Sequence, residues 1–357
     1  MHSNLIWIGS IVFFVALLSS YIGVDLLRRW AEQRMLDIPN ERSSHVRPTP
    51  RGGGLLIVVC TIGGLWLSAF FLRLAAPVVL LISFSLGAIL IAWVSWLDDL
   101  HSLSNRSRFG AHIAGALLVT GGIGFLSTVE VPFLPPLEIG WFGILITFFW
   151  LTGFTNAYNF MDGIDGLAGA QAVVAGLAWL GIGLLQDIPL LTTIGLLIAT
   201  SSLGFLGHNW PPARIFMGDV GSAFLGFTLA TLPIIGAQTD SRLPVFGVLI
   251  LWPFVFDTTF TLLRRLQRGE NIFAAHRSHL YQRMVIAGYS HRHVTLVYMA
   301  LALIGVFVAY LWILRLPMGD IAAGIVPILG SFGLWYAVVH AEARASRVTS
   351  GTTTVTR

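Results

Sequence analysis

The segment 78–99 reads Val-Val-Leu-Leu-Ile-Ser-Phe-Ser-Leu-Gly-Ala-Ile-Leu-Ile-Ala-Trp-Val-Ser-Trp-Leu-Asp-Asp. It carries no charged side chain before its last two residues, Asp98 and Asp99. An α-helix needs about 20 mostly apolar residues to cross the hydrocarbon core of a bilayer. The segment therefore predicts a membrane-spanning helix that ends in two carboxylates.

The rest of the chain has the same character. Hydrophobic residues make up 55% of the 357 residues, charged residues only 11%, and the mean hydropathy is +0.80. A water-soluble domain carries about a quarter charged residues. We therefore predict an all-α, polytopic membrane protein, with residues 1–357 forming a single membrane domain without internal repeats. The eleven predicted spans are 5–27, 52–72, 78–97, 109–126, 141–157, 166–185, 190–207, 220–236, 244–263, 294–314 and 320–340.

The arginines predict which ends of the spans face the cytoplasm. The first span has no basic residue before it and no small-residue cleavage site after it, which predicts an uncleaved span with a periplasmic N-terminus. Most arginines then fall in cytoplasmic loops, and only Arg73, Arg242 and Arg315 fall outside. The topology predicts a multi-pass membrane protein whose arginine-rich loops lie in the cytoplasm. The arginines flank spans instead of forming a basic domain, so nucleic-acid binding is not expected.

Three sets of carboxylates follow predicted spans: Asp98 with Asp99, Asp162 with Asp165, and Asp219. Acids at the edge of a membrane must be solvated, paired or bound to a cation. Asp98 and Asp99 stand at a predicted helix C-terminus, where negative charge is unfavourable to the helix dipole, so a metal or an arginine should compensate for it. Taken alone, this pair could also be a solvated helix end. Together, the three sets on one membrane face predict a shared hard cation with oxygen ligands, suited to phosphate chemistry.

The segment 156–169 is the most specific pattern, Asn-Ala-Tyr-Asn-Phe-Met-Asp-Gly-Ile-Asp-Gly-Leu-Ala-Gly. Asn156, Asn159, Asp162 and Asp165 recur at every third residue, which keeps neighbours on one side of a helical or turn-like segment. The glycines between them let the backbone approach a ligand closely. The pattern favours a ligand site over a polar helix end with packing glycines.

Two further loops carry candidate residues. Asn209 and the run Phe216-Met-Gly218-Asp219 frame a Pro-Pro pair, and Phe216 suits either stacking on a base or anchoring at the membrane interface. The segment 275–283 contains two histidines and two arginines. Next to the acidic sets it predicts a phosphate clamp, because arginine forks match phosphate oxygens. A basic surface loop is the alternative.

Two single residues stand within predicted spans. Asp257 lies in the ninth span, and an acid inside a span is a functional candidate by default. Pairing with Arg264 or Arg265, on the same side of the helix, is an equal alternative. Cys60 is the one cysteine and lies in the second span, so no disulfide framework is expected.

In these motifs the chain resembles the polyprenyl-phosphate N-acetylhexosamine-1-phosphate transferases, the superfamily that includes MraY, WecA and TagO. The resemblance starts at Asp37 and ends at Arg283, with every motif in the expected order. It implies transfer of a sugar 1-phosphate from a UDP-N-acetylhexosamine to undecaprenyl phosphate, with release of UMP. The acceptor's polyprenyl tail cannot leave the bilayer, which suits a membrane-embedded enzyme.

The resemblance also implies residue roles. It makes Asn159 and Asp219 ligands of Mg²⁺, with Mn²⁺ as a substitute. It makes Asp98, Asp99 and His279 catalytic, the two acids facing the lipid phosphate, and leaves open whether Asp98 takes a proton or forms a covalent bond. The implied substrate-binding residues, with Phe216 stacked on uracil, are Asn156, Asp162, Asp165, Asn209, Phe216, Gly218, Arg277 and Arg283.

One departure from the family pattern bears on the sugar. Relatives often carry adjacent histidines where this chain has His279, Tyr281 and Gln282. This weakens an MraY-type phospho-MurNAc-pentapeptide transferase and resembles the O-antigen-initiating WbpL-type branch. It predicts a GlcNAc or 6-deoxy-N-acetylhexosamine donor, with a tilt toward the 6-deoxy sugars. The oligomeric state is left open, a homodimer included.

Two other classes fit the sequence less well. An ion-coupled transporter would carry acids near the midplane of the spans and an inverted repeat. In this sequence the acids other than Asp257 fall at one face, and no repeat is visible. A CDP-alcohol phosphotransferase requires an Asp-Gly-x-x-Ala-Arg run, and Asp165-Gly-Leu-Ala-Gly lacks the arginine.

Overall fold

The computed structural model describes residues 2–39, 44, 47–271, 274 and 276–352. Parts of two predicted motifs, residues 40–43, 45–46 and 275, lie outside these described residues. Within them the chain is almost entirely helical. The helices are α1 (His2–Ala31), α2 (Leu55–Phe71), α3 (Val78–His101), α4 (Asn105–Gly122), α5 (Phe142–Phe160), α6 (Leu167–Leu185), α7 (Pro189–Asn209), α8 (Asp219–Ala237), α9 (Leu243–Gln267), α10 (Leu280–Ile286), α11 (His291–Ile313) and α12 (Gly319–Thr352).

The helices coincide with the predicted spans. Each of the twelve described helices except the short α10 overlaps one of them. By length and composition, eight are suited to crossing a membrane, namely α1, α3, α6, α7, α8, α9, α11 and α12. Of the rest, α2 has only 17 residues, α4 begins with a polar turn, and α5 ends near two asparagines. The chain is thus a polytopic membrane protein, while the count of eleven spans and the periplasmic N-terminus remain predictions.

Helix α8 lies at the centre of the bundle. All of its residues from Val220 to Gly236 are buried, and it packs against α3, α5 and α9. A helix that is apolar on every side is stable only when other helices or lipid cover all of its faces, and other helices cover α8. Small residues permit close packing: a Cβ at Gly226 would lie 2.8 Å from Tyr158 Cβ on α5. This close approach aligns the ends of α5 and α8.

Two short antiparallel hairpins connect helices. Strand β1 (Leu36–Asp37) pairs with β2 (Thr49–Pro50), and β3 (Thr128–Val129) pairs with β4 (Leu137–Glu138). The first hairpin matters for the site, because β2 leads directly into the glycine-rich segment 51–54 before α2. That segment is thereby held at one end of the bundle.

Candidate active site

The carboxylate of Asp99 joins the end of α3 to the start of α8. Its Oδ1 accepts a hydrogen bond from Asp219 N at 3.1 Å, and its Oδ2 accepts one from Val220 N at 3.0 Å. The side chain is only 3% exposed. A carboxylate at this position accepts hydrogen bonds from the free amide groups of the first turn of α8. Its negative charge also interacts favourably with the positive end of the helix dipole. Asp99 therefore fixes the Phe-Met-Gly-Asp turn.

Gly218 is required by this arrangement. Its φ is +77°, a conformation that other residues rarely adopt, and a Cβ there would lie 2.7 Å from Asp99 Oδ2. Gly218 thus lets the turn close tightly around the carboxylate, and its role in lining the nucleotide pocket remains a prediction.

Arg108, at the start of α4, lies between two of the acids. Its Nη1 is 3.1 Å from Asp98 Oδ2 and 3.1 Å from Asp219 Oδ2. Asp98 is 10% exposed and Asp219 31%, so Asp219 is the more accessible carboxylate. Sequence reasoning counted Arg108 only as a topology charge. Its position at the start of the helix that follows the Asp98-Asp99 pair was the signal that could have found it.

A second arginine approaches the same acids from the glycine-rich segment. Arg51 Nη2 donates to the backbone oxygen of Asp99 at 2.5 Å, and its Nε lies 4.0 Å from Asp99 Oδ1. The segment is held by Phe216, whose N donates to Pro50 O at 2.8 Å and whose O accepts from Gly53 N at 2.9 Å. Arg51 was also missed at the sequence level. The half-buried ring of Phe216 lies beside this cluster, and its uracil contact remains a prediction.

Negative charge is in excess at this end of the bundle. Burial raises the pKa of Asp162 well above its usual range, and the nearby charges of Asp219, Asp99 and Asp165 raise it further. The carboxylates therefore repel one another, and an added cation would relieve the repulsion.

The chemistry of the donors fits a hard divalent cation. Besides the carboxylates, Asn159 offers an amide oxygen, and it lies next to α8 because Ser222 Oγ donates to its Oδ1 at 2.5 Å. In the described part of the chain no three His, Cys, Asp or Glu side chains are already grouped as a metal site. Mg²⁺ is commonly bound by one or two carboxylates together with substrate phosphates, so a complete protein cage is not required. Asn156, one turn before Asn159, is exposed.

Asn209 and Asp165 shape the loops from within. Asn209 Oδ1 accepts from Gly166 N and its Nδ2 donates to Ile215 O, both at 2.9 Å. Asp165 Oδ2 accepts from Ala213 N at 3.0 Å. The structure thus brings the second and third predicted motifs together. It shows these two side chains bonded to backbone, and their contact with substrate remains a prediction.

Asp257 is paired with a histidine and not with either neighbouring arginine. Its Oδ1 lies 3.2 Å from His279 Nδ1, and both side chains are buried. Arg265 instead contacts Glu270, with Nε 2.9 Å from Oε2. The sequence favoured a functional role for Asp257 and its pairing with Arg264 or Arg265 equally. The pairing with an arginine is wrong. An acid inside α9 thus contacts the predicted histidine.

Tyr281 and Gln282 face the protein interior. The hydroxyl of Tyr281 donates to Phe160 O at 2.8 Å, and a Cβ at Gly163 would lie 2.1 Å from that hydroxyl oxygen. Gln282 Oε1 accepts from His279 N at 3.3 Å. Tyr281 thus ties α10 to the loop that carries Asp162 and Asp165. The expectation of a 6-deoxy sugar rested on Tyr281 and Gln282 reading the donor. Because both side chains form hydrogen bonds within the protein, the geometry does not support that expectation.

The two arginines of the histidine loop differ. Arg283 donates from Nε and Nη2 to Glu342 Oε1 and Oε2 at 2.7 and 2.6 Å, so its fork is bound to α12. Arg277 Nη2 lies 3.4 Å from Ser44 Oγ, so Arg277 contacts the connection between β1 and β2. Contacts of either arginine with phosphate remain predictions.

The sequence comparisons agree with these motifs. Residues 81–237 match Glycosyl transferase family 4. Over 292 residues, 80% of each chain, the protein is 33% identical to the probable undecaprenyl-phosphate N-acetylglucosaminyl 1-phosphate transferase of Bacillus subtilis. The chain belongs to glycosyl transferase family 4. It is also 31% identical to the decaprenyl-phosphate N-acetylglucosaminephosphotransferase of Mycobacterium tuberculosis, over 72% of this chain and 71% of the relative.

A third relative is a phospho-N-acetylmuramoyl-pentapeptide-transferase of a Synechococcus species, 29% identical over 85% of this chain and 91% of the relative. The glycosyl transferase family 4 member described here is thus a polyprenyl-phosphate N-acetylhexosamine-1-phosphate transferase, a multi-pass membrane enzyme. The predicted reaction class is confirmed, and the transporter alternative is wrong. The relatives named here do not single out the narrower WbpL-type branch.

The family match covers most of the site. It begins within α3 and ends within α8, and so contains all three acidic sets and Arg108. The glycine-rich segment and the histidine loop lie outside it. In the structure of this glycosyl transferase family 4 protein, both are joined to the acidic end by hydrogen bonds, through Phe216 and Tyr281 respectively.

Proposed function

We propose that this enzyme transfers N-acetylglucosamine 1-phosphate from UDP-GlcNAc to undecaprenyl phosphate and releases UMP. The names of the Bacillus and Mycobacterium relatives support the sugar. One structural observation carries the proposal: the acidic sets converge with Arg108 and Arg51 at a single end of the bundle. Donor and acceptor are both anionic, so their reaction needs a site where cations and fixed donors offset phosphate repulsion.

We place this end of the bundle on the cytoplasmic face, with the N-terminus in the periplasm. The distribution of arginines supports this orientation. The lipid tail then stays in the bilayer beside the helices while its phosphate reaches the acids. The product, undecaprenyl-diphospho-GlcNAc, suits the start of a cell-surface polysaccharide such as O-antigen.

In the proposed reaction an oxygen of the lipid phosphate attacks the phosphorus that carries the sugar. The bond from that phosphorus to the bridging oxygen breaks, and UMP leaves with that oxygen. Asp98 lies near the acceptor and takes its proton, while Arg108 and Arg51 hold phosphate oxygens. Asn159 and Asp219 would hold Mg²⁺, which would supply Lewis-acid stabilisation of charge on the diphosphate.

Asp98 has a second candidate role, attack on the donor phosphorus to form a covalent intermediate. Its Oδ1 accepts from Leu103 N at 2.5 Å and its Oδ2 faces Arg108. These two contacts hold the carboxylate in place for either role.

The testing experiment measures UMP release by purified protein with undecaprenyl phosphate and a panel of UDP-sugars. We expect UDP-GlcNAc to be the fastest donor, ahead of UDP-N-acetylfucosamine and UDP-N-acetylquinovosamine. Absence of UMP with every UDP-N-acetylhexosamine would refute the proposed reaction. Faster turnover of UDP-MurNAc-pentapeptide would assign the protein to the pentapeptide branch instead.

A further inference from the structure

Asp257 is a buried acid that the proposed chemistry does not use. It lies inside α9 with no exposed surface. Its two oxygens accept hydrogen bonds from donors in α9, at the start of α10 and in α11. Its donors are His279 Nδ1 (3.2 Å), Leu280 N (2.8 Å), Tyr281 N (3.1 Å), Thr261 Oγ1 (3.2 Å) and Tyr298 Oη (2.6 Å). A buried carboxylate is tolerated only when it is bonded in this way. The acid therefore joins α9, the start of α10 and α11.

The bond to His279 determines the protonation pattern of its ring. A carboxylate offers only acceptors, so Nδ1 must carry the proton that it shares with Asp257 Oδ1. The other ring nitrogen, Nε2, has no hydrogen-bond partner among the described residues, and the residue is only 4% exposed. Buried polar atoms in native proteins normally have a partner, so an unpaired one points to a ligand.

The ring of His279 faces the substrate end of the bundle. It lies 6.1 Å from the ring of Phe160, which directly precedes the Asp162 loop, and stacks on Tyr281 at 5.8 Å. Tyr281 is itself bonded to Phe160 O. These contacts hold the imidazole in one orientation beside the acidic motifs.

We propose that Asp257 is a positioning residue, which holds His279 so that Nε2 hydrogen-bonds an oxygen of the donor's diphosphate. The inference rests on the proposed function. In the imidazolium form both ring nitrogens donate, so Nδ1 can bond to Asp257 while Nε2 bonds to the phosphate. An amide in place of the carboxylate could donate to Nδ1, which would leave the wrong tautomer.

The test is a double-mutant cycle of Asp257→Asn and His279→Gln, with kcat and KM for UDP-GlcNAc measured separately. Each single variant should lower kcat/KM by about 10- to 100-fold, the usual effect of losing a partner that orients a histidine. The double variant should be no worse than His279→Gln, since Asp257 acts through His279. Additive losses would show a purely structural role and overturn the inference.

Tyr298→Phe is the matched control, because Tyr298 bonds to Oδ2 of Asp257, whereas His279 bonds to Oδ1. It removes one donor to the same buried carboxylate and should lower Tm while kcat/KM stays within about twofold. A loss of kcat/KM as large as that of Asp257→Asn would overturn the inference. It would mean that activity follows the stability of the network and not the ring of His279.

A second measurement needs no variant at Asp257. In wild-type protein with ¹⁵N-labelled histidine, the resonances lost in His279→Gln identify the ring, and Nδ1 should be protonated. Adding UDP-GlcNAc should shift the Nε2 resonance. An unprotonated Nδ1 would overturn the inference whether or not the protein releases UMP. Wild-type protein that releases no UMP from any donor would instead refute the proposed function.

Discussion

Arg108 and Asp219 lie 3.1 Å apart, from Nη1 to Oδ2, although 111 residues separate them in sequence. The same Nη1 atom is 3.1 Å from Asp98, so one guanidinium connects the end of α3 to the start of α8. A divalent cation would be attracted to the same carboxylates. The arginine and the proposed cation would therefore compete for Asp219, and the outcome can be measured.

Replacing Asp219 tests the cation role. We expect Asp219→Asn to abolish UMP release with Tm close to that of the wild type, because the amide removes charge without changing shape. Wild-type activity should vanish in EDTA and return with Mg²⁺ or Mn²⁺. Full activity in chelator would rule out the metal role.

Replacing Arg108 tests the competition. Arg108→Gln should lower turnover by about 10²-fold, because a charge-stabilising donor is lost. The variant should bind Mn²⁺ more tightly than the wild type in the absence of substrate, as measured by electron paramagnetic resonance. Arg106→Gln is the control, because Arg106 is exposed and should leave both quantities unchanged. Weaker Mn²⁺ binding by Arg108→Gln would contradict the competition.

The helices were predictable because long apolar runs allow few structures in a bilayer, and every predicted span overlaps a helix. The short α10 was not, since its N-terminus is capped by Asp257 from another helix. Arg108 and Arg51 were missed for a related reason. An arginine near the end of a span serves topology in any sequence, and only packing shows that these two meet carboxylates.

The motifs predicted which loops meet better than they predicted what each side chain does. Asn209 and Tyr281 stand in specific motifs, yet the structure shows both bonded to backbone oxygens. A sequence pattern marks residue types and spacing, but the direction of a side chain depends on neighbours far away in the chain. The 6-deoxy expectation depended on such a pattern, the Tyr281-Gln282 pair, and both of these side chains are bonded within the protein.

The pKa of Asp162 predicts a pH-dependent stability. Because its folded-state pKa lies above the ordinary value, the folded state binds the proton more tightly than the unfolded state. The stabilisation is complete below the unfolded pKa, near 4, and is lost as the pH rises through the folded pKa. In EDTA, the wild-type Tm should therefore fall as the pH is raised from about 4 to 8.

Asp162→Asn should reduce this dependence and raise the free energy of unfolding at neutral pH, at the expense of activity. The measurement is a series of thermal denaturation curves for both proteins in one detergent. An equal slope in both would show that another group is responsible.

Membrane orientation is tested with reporters. A fusion after Arg357 should report a cytoplasmic C-terminus, and one within the 128–138 connection should report the periplasm. This follows from the arginine distribution and the eleven predicted spans. A periplasmic C-terminus would show that the spans are miscounted and would move the active site to the other face.

The contact between Gly163 and Tyr281 predicts a steric effect on activity. A Cβ at residue 163 would lie 2.1 Å from Tyr281 Oη, and that hydroxyl is held by Phe160 O. Gly163→Ala should therefore cost about 1–3 kcal/mol and displace the Asp162 loop, lowering turnover. Gly153→Ala is the control, because no atom lies within 4 Å of a Cβ there. Adding Tyr281→Phe should restore part of the loss, since the overlapping oxygen is removed. Wild-type turnover in Gly163→Ala would show that Tyr281 does not position the loop.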